Sequence, residues 1–173
     1  MADSPGGRAS GAGISPEDPQ NAGVPRQTGP TRVYESDELA VVWDATRCVH
    51  VATCLNALPE VFNVGRRPWV DVGGAPDEQI AAAVRLCPTG ALKYEPRGAF
   101  PAETPDEVTT VQAGHQGPLY VRGRVRLVDG HGRLIAEETR VALCRCGASA
   151  NKPYCDNSHH LVRKQRPVPE QGA

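Results

Sequence analysis

The sequence lacks the features that would point to a membrane or to nucleic acid. Its formal net charge is −1 and only 5% of its 173 residues are aromatic, so nothing attracts nucleic acid or anionic lipid in general. No apolar run is long enough to cross a bilayer, and the first residues lack the apolar segment of a secretory signal. We therefore expect a cytoplasmic protein without nucleic-acid or membrane partners.

The sequence also lacks a catalytic motif. There is no convincing Ser–His–Asp or paired-carboxylate arrangement, and the glycine pairs lack the lysine of a phosphate loop. Arg122, Arg124 and Arg126 form a basic strand face without interleaved aromatic residues, which is typical of a solvated face or of one that docks an acidic redox partner. We expect a protein that is not an enzyme.

What the chain does contain is six cysteines. In a reducing compartment, cysteines at such spacings favour metal binding over disulfides. They fall into two groups, and each is a candidate metal site. The first group is Cys48, Cys54 and Cys87, and the second is Cys144, Cys146 and Cys155.

The second group forms a nearly local ligand set. With His159 it has the spacing C-x-C-x8-C-x3-H, which offers three soft thiolates and one imidazole to iron or zinc. A structural zinc site accepts the same ligand types, but common zinc sites pair C-x2-C with longer gaps. His160 is an adjacent candidate ligand.

This stretch resembles the CDGSH-type iron–sulfur domain of the NEET family. The resemblance covers residues 117–160, and Asn157 stands where the family usually has glycine. Asparagine tolerates a left-handed backbone better than most residues. The resemblance implies a 2Fe–2S cluster held by Cys144, Cys146, Cys155 and His159, and it implies a homodimer, since family members often pair through their β-rich caps.

The first group looks like an incomplete ferredoxin pattern. Ferredoxins hold a cubane cluster with C-x2-C-x2-C and a remote Cys-Pro. Here Cys48, Cys54 and Cys87-Pro88 match three of those positions, and Val51 replaces the second cysteine. The flanking motifs resemble the divergent single-cluster 4Fe–4S ferredoxin domain. They are Val42-Trp43-Asp44, Leu58-Pro59-Glu60-Val61-Phe62, Arg67-Pro68-Trp69 and Cys87-Pro88-Thr89-Gly90-Ala91-Leu92.

Three thiolates leave the nuclearity of the first cluster open. The corner without a thiolate is either empty, which gives 3Fe–4S, or holds a fourth iron through His50 or solvent, which gives 4Fe–4S. If His50 is not a ligand, it is a polar neighbour of the cluster or a solvated residue. The alternative without a cluster is three ordinary core cysteines.

The fold class that we predict is α+β, with two small modules in tandem. We assign residues 1–33 to a disordered tail, 34–96 to a ferredoxin-like module, 97–116 to a linker, 117–162 to a β-rich CDGSH module and 163–173 to a flexible tail. The first module should contain a strand over 38–43 and helices over 51–58 and 77–86, the latter capped by Asp77. The second should contain a hairpin turning at 129–132.

The function that these motifs favour is one-electron transfer between a reductase and a terminal oxidoreductase. Two clusters of different potential on one chain would relay electrons in sequence. An alternative is storage of clusters and their transfer to an apo-acceptor, or redox sensing. A second alternative is a zinc-stabilised interaction module.

Overall fold

The computed structural model of the protein describes residues 31–165. In that part of the chain, two three-stranded antiparallel sheets are accompanied by a few short helices. The elements are β1 (Thr31–Glu35), β2 (Leu39–Asp44), a 3-10 turn (Ala45–Arg47), α1 (Thr53–Ala57), α2 (Asp77–Arg85), β3 (Leu92–Pro96), β4 (Thr110–Ala113), β5 (Leu119–Val128), β6 (Leu134–Leu143) and α3 (His159–Gln165). We call β1 to β3 with α1 and α2 the first module, and β4 to β6 with α3 the second.

The first sheet has the order β1-β2-β3, so β2 is central. Its residues Leu39 and Val41 are fully buried, which confirms the predicted strand. Helix α2 packs on this sheet through Ile80 and Val84, which are fully buried, and Cys87 follows the helix in the same core cluster. Ile80 and Val84 are four positions apart, the spacing of residues on one helix face.

The start of α2 differs from the prediction. Pro76 occupies the N-cap, and the structure has no side-chain cap at that end. The carboxylate of Asp77 instead accepts a hydrogen bond from the Ser36 hydroxyl at 2.9 Å. Asp77 thus ties the helix to the turn between β1 and β2, a long-range partner that local capping rules do not include.

The second sheet has the order β4-β5-β6. The predicted turn at 129–132 joins β5 to β6, and its geometry depends on Asp129. That carboxylate accepts hydrogen bonds from the backbone N–H groups of His131 at 2.8 Å and Arg133 at 3.0 Å. The Arg133 backbone N–H is the largest cause that lowers the pKa of Asp129 to about 2.

A β-bulge at Gly123 changes the faces predicted for β5. Arg122 pairs with Arg140, whereas Val125 pairs with Glu138, so β5 has one extra residue between these pairs. Residues that pair across strands share a face, so Arg122 and Val125 point to the same side of the sheet. The predicted alternation, which put them on opposite faces, is wrong beyond Gly123, whose φ is +126°.

Three segments that were predicted to lack regular structure contain some. Strand β4 lies within the segment assigned to a linker, residues 97–116, and pairs with β5. Strand β1 begins at Thr31, inside the predicted tail, and α3 extends to Gln165. The rest of the two predicted tails, 1–30 and 166–173, lies outside the described residues. Among residues 31–165, no helix has the length and apolar character needed to span a membrane.

The two modules meet through buried charges. Arg47 of the first module binds Glu138 of the second at 2.9 Å, and Lys93 binds the other oxygen of the same carboxylate at 2.6 Å. Arg122 donates from Nη1 to the Arg85 carbonyl at 2.8 Å. Polar pairs of this kind are geometrically specific, so they define how the modules are oriented.

Gly90 lies where the backbones of the two modules come closest. Its φ is +64°, and a Cβ there would overlap the Arg140 carbonyl oxygen. A left-handed backbone costs an alanine roughly 1–2 kcal/mol. We expect Gly90→Ala to lower the free energy of unfolding by more than this amount, because the added Cβ also overlaps a neighbouring oxygen. Gly132→Ala is the matched control, because Gly132 has φ +80° and no neighbouring heavy atom within 4 Å. Thermal unfolding of both variants should show the larger loss for Gly90→Ala; equal losses would contradict this close approach.

Candidate metal centres

The second group of cysteines is assembled by a return of the chain beside β6. Leu143 forms an antiparallel bridge with Tyr154. On either side of it, Cys144 N donates to the Pro153 carbonyl at 2.9 Å and Cys155 N donates to the Ala142 carbonyl at 2.8 Å. Backbone pairing alone therefore places Cys155 next to the strand that delivers Cys144.

The four predicted ligands of this loop lie in two pairs. The sulfurs of Cys144 and Cys146 are 3.8 Å apart, and the Cys155 sulfur is 3.5 Å from Nδ1 of His159. Tetrahedral metal–sulfur bonds of about 2.3 Å separate two sulfur ligands by about 3.8 Å, so each pair has the spacing of two ligands on one ion. Among residues 31–165, no three His, Cys, Asp or Glu side chains converge on a single ion. Two pairs of this spacing would fit a dinuclear cluster, with one pair at each metal ion.

Backbone N–H groups favour thiolates in this loop. Burial raises the pKa of Cys144, but hydrogen bonds from the backbone N–H groups of Ser149 and Gly147 outweigh it, so the pKa lies below the ordinary thiol value. The Ala148 N–H donates to the Cys146 sulfur at 3.4 Å. Cys155 differs, because burial raises its pKa. A bound metal would supply the positive charge that this buried sulfur needs.

The residues before His159 form a tight polar turn. Asp156 accepts hydrogen bonds from the backbone N–H groups of Ser158 at 3.0 Å and Ala150 at 2.9 Å. Asn157 has φ +73°, the left-handed conformation that we expected of this substitution for glycine. His159 is then the first residue of α3 and is buried, while His160 is exposed.

The first group of cysteines meets at a cavity of the first module. Cys48 precedes the cavity-lining loop, Cys54 lies on α1, and Cys87 follows α2. The other lining residues are mostly apolar: Trp43, His50, Val51, Ala52, Thr53, Trp69, Pro88, Thr89, Ala91 and Leu92. A single cavity thus contains all three cysteines that were predicted to share a cluster.

His50 lies at the same cavity and next to the first cysteine. Its Nδ1 is 3.9 Å from the Cys48 sulfur, and its side chain is exposed. The backbone is left-handed at His50 (φ +57°) and again at Ala52 (φ +59°), a conformation that is strained for residues other than glycine. This backbone shortens α1 relative to the predicted helix over 51–58 and directs the loop around the cavity.

The electrostatics of this cavity fit a cationic group. Burial, followed by the nearby Cys87, raises the pKa of Cys54 to about 11. The Cys54 thiol therefore resists ionisation by itself, and an iron ion would remove that penalty by binding the thiolate. Both cysteine groups fit iron–sulfur clusters in the chemistry of their donors, and the role of each residue as a ligand stays a prediction.

Sequence reasoning missed several polar groups around the first cavity. The Thr89 hydroxyl lies 3.5 Å from the Cys87 sulfur, and Arg140 of the second module donates to the Cys87 carbonyl at 3.2 Å. Trp69 lines the cavity, and its buried Nε1 has no hydrogen-bond partner within the described part of the chain. The position of Thr89 directly after Cys87-Pro88 could have indicated that its hydroxyl lies near the Cys87 sulfur. No nearby residue in the sequence predicts the contact made by Arg140.

Comparison with known protein families shows which kinds of domain these two sites resemble. The family described as "Divergent 4Fe-4S mono-cluster" matches residues 34–96, and the family described as "Iron-binding zinc finger CDGSH type" matches residues 116–160. The chain belongs to both families, one in each module. The two family resemblances predicted from the sequence, and their order along the chain, are confirmed. We now call the first module the mono-cluster module and the second the CDGSH module.

Two curated relatives match the chain, both called "Uncharacterized protein YjdI", from Escherichia coli K12 and O157:H7. Each is 34% identical over 70 residues, which cover 38% of this chain and 87% of the relative. The match is therefore to nearly a whole small protein and to part of this one. Both family descriptions concern iron, which makes iron–sulfur binding the shared property of the mono-cluster and CDGSH modules.

Proposed function

We propose that this protein is a one-electron carrier with two clusters, 2Fe–2S in the CDGSH module and 3Fe–4S or 4Fe–4S in a ferredoxin-like mono-cluster module. A reductase would supply electrons, and a terminal oxidoreductase would accept them. The clusters would supply the redox chemistry. The protein residues would bind them, exclude water and keep them close together.

The observation that carries this proposal is a buried contact at Val49. This residue directly follows Cys48, is 7% exposed and packs in one apolar cluster with Ala142 and Cys155. Predicted ligands of the two clusters are thus connected through one residue of chain and this buried apolar cluster. Such a short path between redox centres favours electron transfer within the molecule.

Two further contacts, made by the residues just before Cys48, join the same two loops. The Arg47 guanidinium lies 4.4 Å from the centre of the Tyr154 ring, a favourable cation–π distance. Asn151 donates from its side-chain amide to the Thr46 carbonyl at 3.1 Å. The loop before Cys48 is therefore fastened to the loop before Cys155, which limits changes in distance between the two sites.

Electron entry from a partner requires access to one site from solvent. His50 and Val51 are exposed at the mouth of the mono-cluster cavity, where Val51 retains 48% of its accessible surface. In the CDGSH module Cys155 and His159 are buried, whereas Cys144 and Cys146 are half-buried, as Cys48 and Cys54 are in the mono-cluster module. The exposed apolar side chain of Val51 supports docking of one redox partner at the His50–Val51 loop. In this proposal the mono-cluster module exchanges electrons with that partner.

The test is to reduce anaerobically prepared protein with a light pulse and follow electron redistribution between the clusters. Val49→Ala should slow this redistribution, because it removes methyl groups from the buried cluster of Val49, Ala142 and Cys155. Val64→Ala is the matched control: the same substitution in the mono-cluster module, at a position that is 62% exposed and does not line the cavity. It should leave the rate unchanged.

The outcomes separate the candidate functions. Slower redistribution in Val49→Ala alone supports the carrier. Equal rates in both variants and the wild type contradict a path through Val49. Rapid delivery of clusters to an apo-acceptor, without reversible reduction, supports the storage and transfer function instead. Colourless protein that contains zinc and no acid-labile sulfide supports the zinc-stabilised module.

A further inference from the structure

The indole of Trp69 is a buried donor without an acceptor. Trp69 is 8% exposed, and its Nε1 has no hydrogen-bond partner among residues 31–165. An indole N–H can only donate, and buried polar groups of folded proteins nearly always have a partner. An unpaired indole in the core is therefore a costly feature that requires an explanation.

The position of Trp69 supplies a candidate acceptor. Its side chain lines the cavity that contains the sulfurs of Cys48, Cys54 and Cys87. Sulfides and thiolates of a cluster are negatively charged acceptors, and hydrogen bonds to cluster sulfurs are one of the ways in which proteins adjust reduction potentials. A cluster in this cavity would place such acceptors beside the unpaired indole.

Neighbouring aromatic rings restrict the orientation of this indole. Ring centres lie 5.1 Å away for Trp43, 6.0 Å for Phe62 and 6.4 Å for Tyr34, with the Trp43 and Tyr34 rings edge-to-face. Packing on several sides keeps the Trp69 ring from turning its N–H to solvent. Trp69 is also the last residue of the Arg67-Pro68-Trp69 motif, which contributes no predicted ligand to either cluster.

We propose that Trp69 donates a hydrogen bond from Nε1–H to a sulfur of the mono-cluster module's cluster and thereby raises its reduction potential. The hydrogen bond stabilises the reduced cluster more than the oxidised cluster, because the reduced state carries more negative charge. Trp69 is a positioning residue in this proposal. The inference rests on the proposed function only in requiring a cluster in this cavity.

The test compares Trp69→Phe with Trp43→Phe in the cluster-loaded full chain. Both substitutions remove an indole from the lining of the same cavity, but Trp43 is only half-buried. We expect Trp69→Phe to shift the reduction equilibrium of the mono-cluster centre about fivefold toward the oxidised state, which is about 40 mV at 59 mV per tenfold. The potential of the 2Fe–2S centre should stay unchanged, because Trp69 does not line that site.

Equal shifts in the two variants, or none in Trp69→Phe, overturn the hydrogen bond while leaving the electron-carrier function intact. If the wild type binds no iron and sulfide in the mono-cluster module, both proposals fall together. The mono-cluster potential is measured by redox titration with EPR detection, and iron and sulfide analysis of every variant shows that the cluster is retained.

A second measurement avoids any dependence on folding of Trp69→Phe. The chain has two tryptophans, so in Trp43→Phe all indole 15N label resides at Trp69. Pulsed EPR on the paramagnetic cluster should detect coupling to this nitrogen and to its exchangeable proton. Lack of both couplings in a cluster-loaded sample overturns the proposal.

Discussion

Replacing Arg140 by methionine is expected to lower the unfolding temperature by roughly 10 °C. Arg140 is 1% exposed, although it carries charge in the core between the modules. It donates to the carbonyls of Val84, Cys87 and Leu92 and forms an ion pair with Glu103 at 2.7 Å. Methionine would remove these hydrogen bonds and leave the Glu103 carboxylate without this counter-charge, a loss of about 3–5 kcal/mol for a buried pair.

Arg126→Met is the matched control for this prediction. Arg126 also lies on the second sheet and pairs with a carboxylate, Glu137 at 3.3 Å, but both side chains are more than half exposed. Surface pairs of this kind contribute at most about 1 kcal/mol. Similar thermal midpoints for the two variants would mean that the buried pair does not hold the modules together.

A double substitution separates the two causes of the Arg140 effect. Arg140→Met combined with Glu103→Leu removes both charges, so no uncompensated carboxylate is left between the modules. Replacing a buried ion pair by apolar groups often costs little stability, and only the lost hydrogen bonds to the carbonyls would then still cost free energy. We expect the double variant to be more stable than Arg140→Met alone. A lower midpoint for the double variant would contradict this account.

The sequence anticipated the features that depend on local spacing. The turn at Asp129, the helix that begins at Asp77 and the left-handed backbone of Asn157 were predicted and are present. Each follows from residues within a few positions of one another. Local hydrogen bonding and side-chain periodicity are sufficient for such features.

The features that were missed depend on partners far apart in the chain. Arg47 and Glu138 are 91 positions apart, and Arg140 and Cys87 are 53 apart. No sequence pattern relates residues that are so far apart. The sequence therefore showed that these arginines are charged but did not predict their partners. The bulge at Gly123 could have been predicted, since an isolated glycine in a strand often marks a bulge. This bulge directs Arg122 toward the mono-cluster module.

The missed contacts change how the two centres are understood. Two tandem motifs, taken separately, indicate two independent clusters joined by a linker. In the fold, Arg140 of β6 donates a hydrogen bond to the carbonyl of Cys87, and Cys144 directly follows the end of the same strand. One strand therefore contacts or precedes predicted ligands of both clusters, and a substitution that distorts this strand should alter both sites.

Removing one ligand at a time tests whether each cluster nevertheless has its own ligand set. We expect Cys155→Ala to lose the 2Fe–2S cluster and Cys87→Ala to lose the mono-cluster centre, each with retention of the other. Alanine is preferred to serine because a hydroxyl oxygen can still bind iron. Iron and sulfide per chain, measured after anaerobic purification, should fall by about two of each in Cys155→Ala and by three to four in Cys87→Ala.

The position of Cys155 makes this pair of variants informative about coupling. Its sulfur belongs to the buried apolar cluster of Val49 and Ala142, and alanine retains part of that packing. The mono-cluster EPR signal of Cys155→Ala should therefore keep its shape while its potential shifts slightly, because a neighbouring charged cluster is gone. Loss of all iron from either variant would show instead that the two centres assemble as one cooperative unit through this contact.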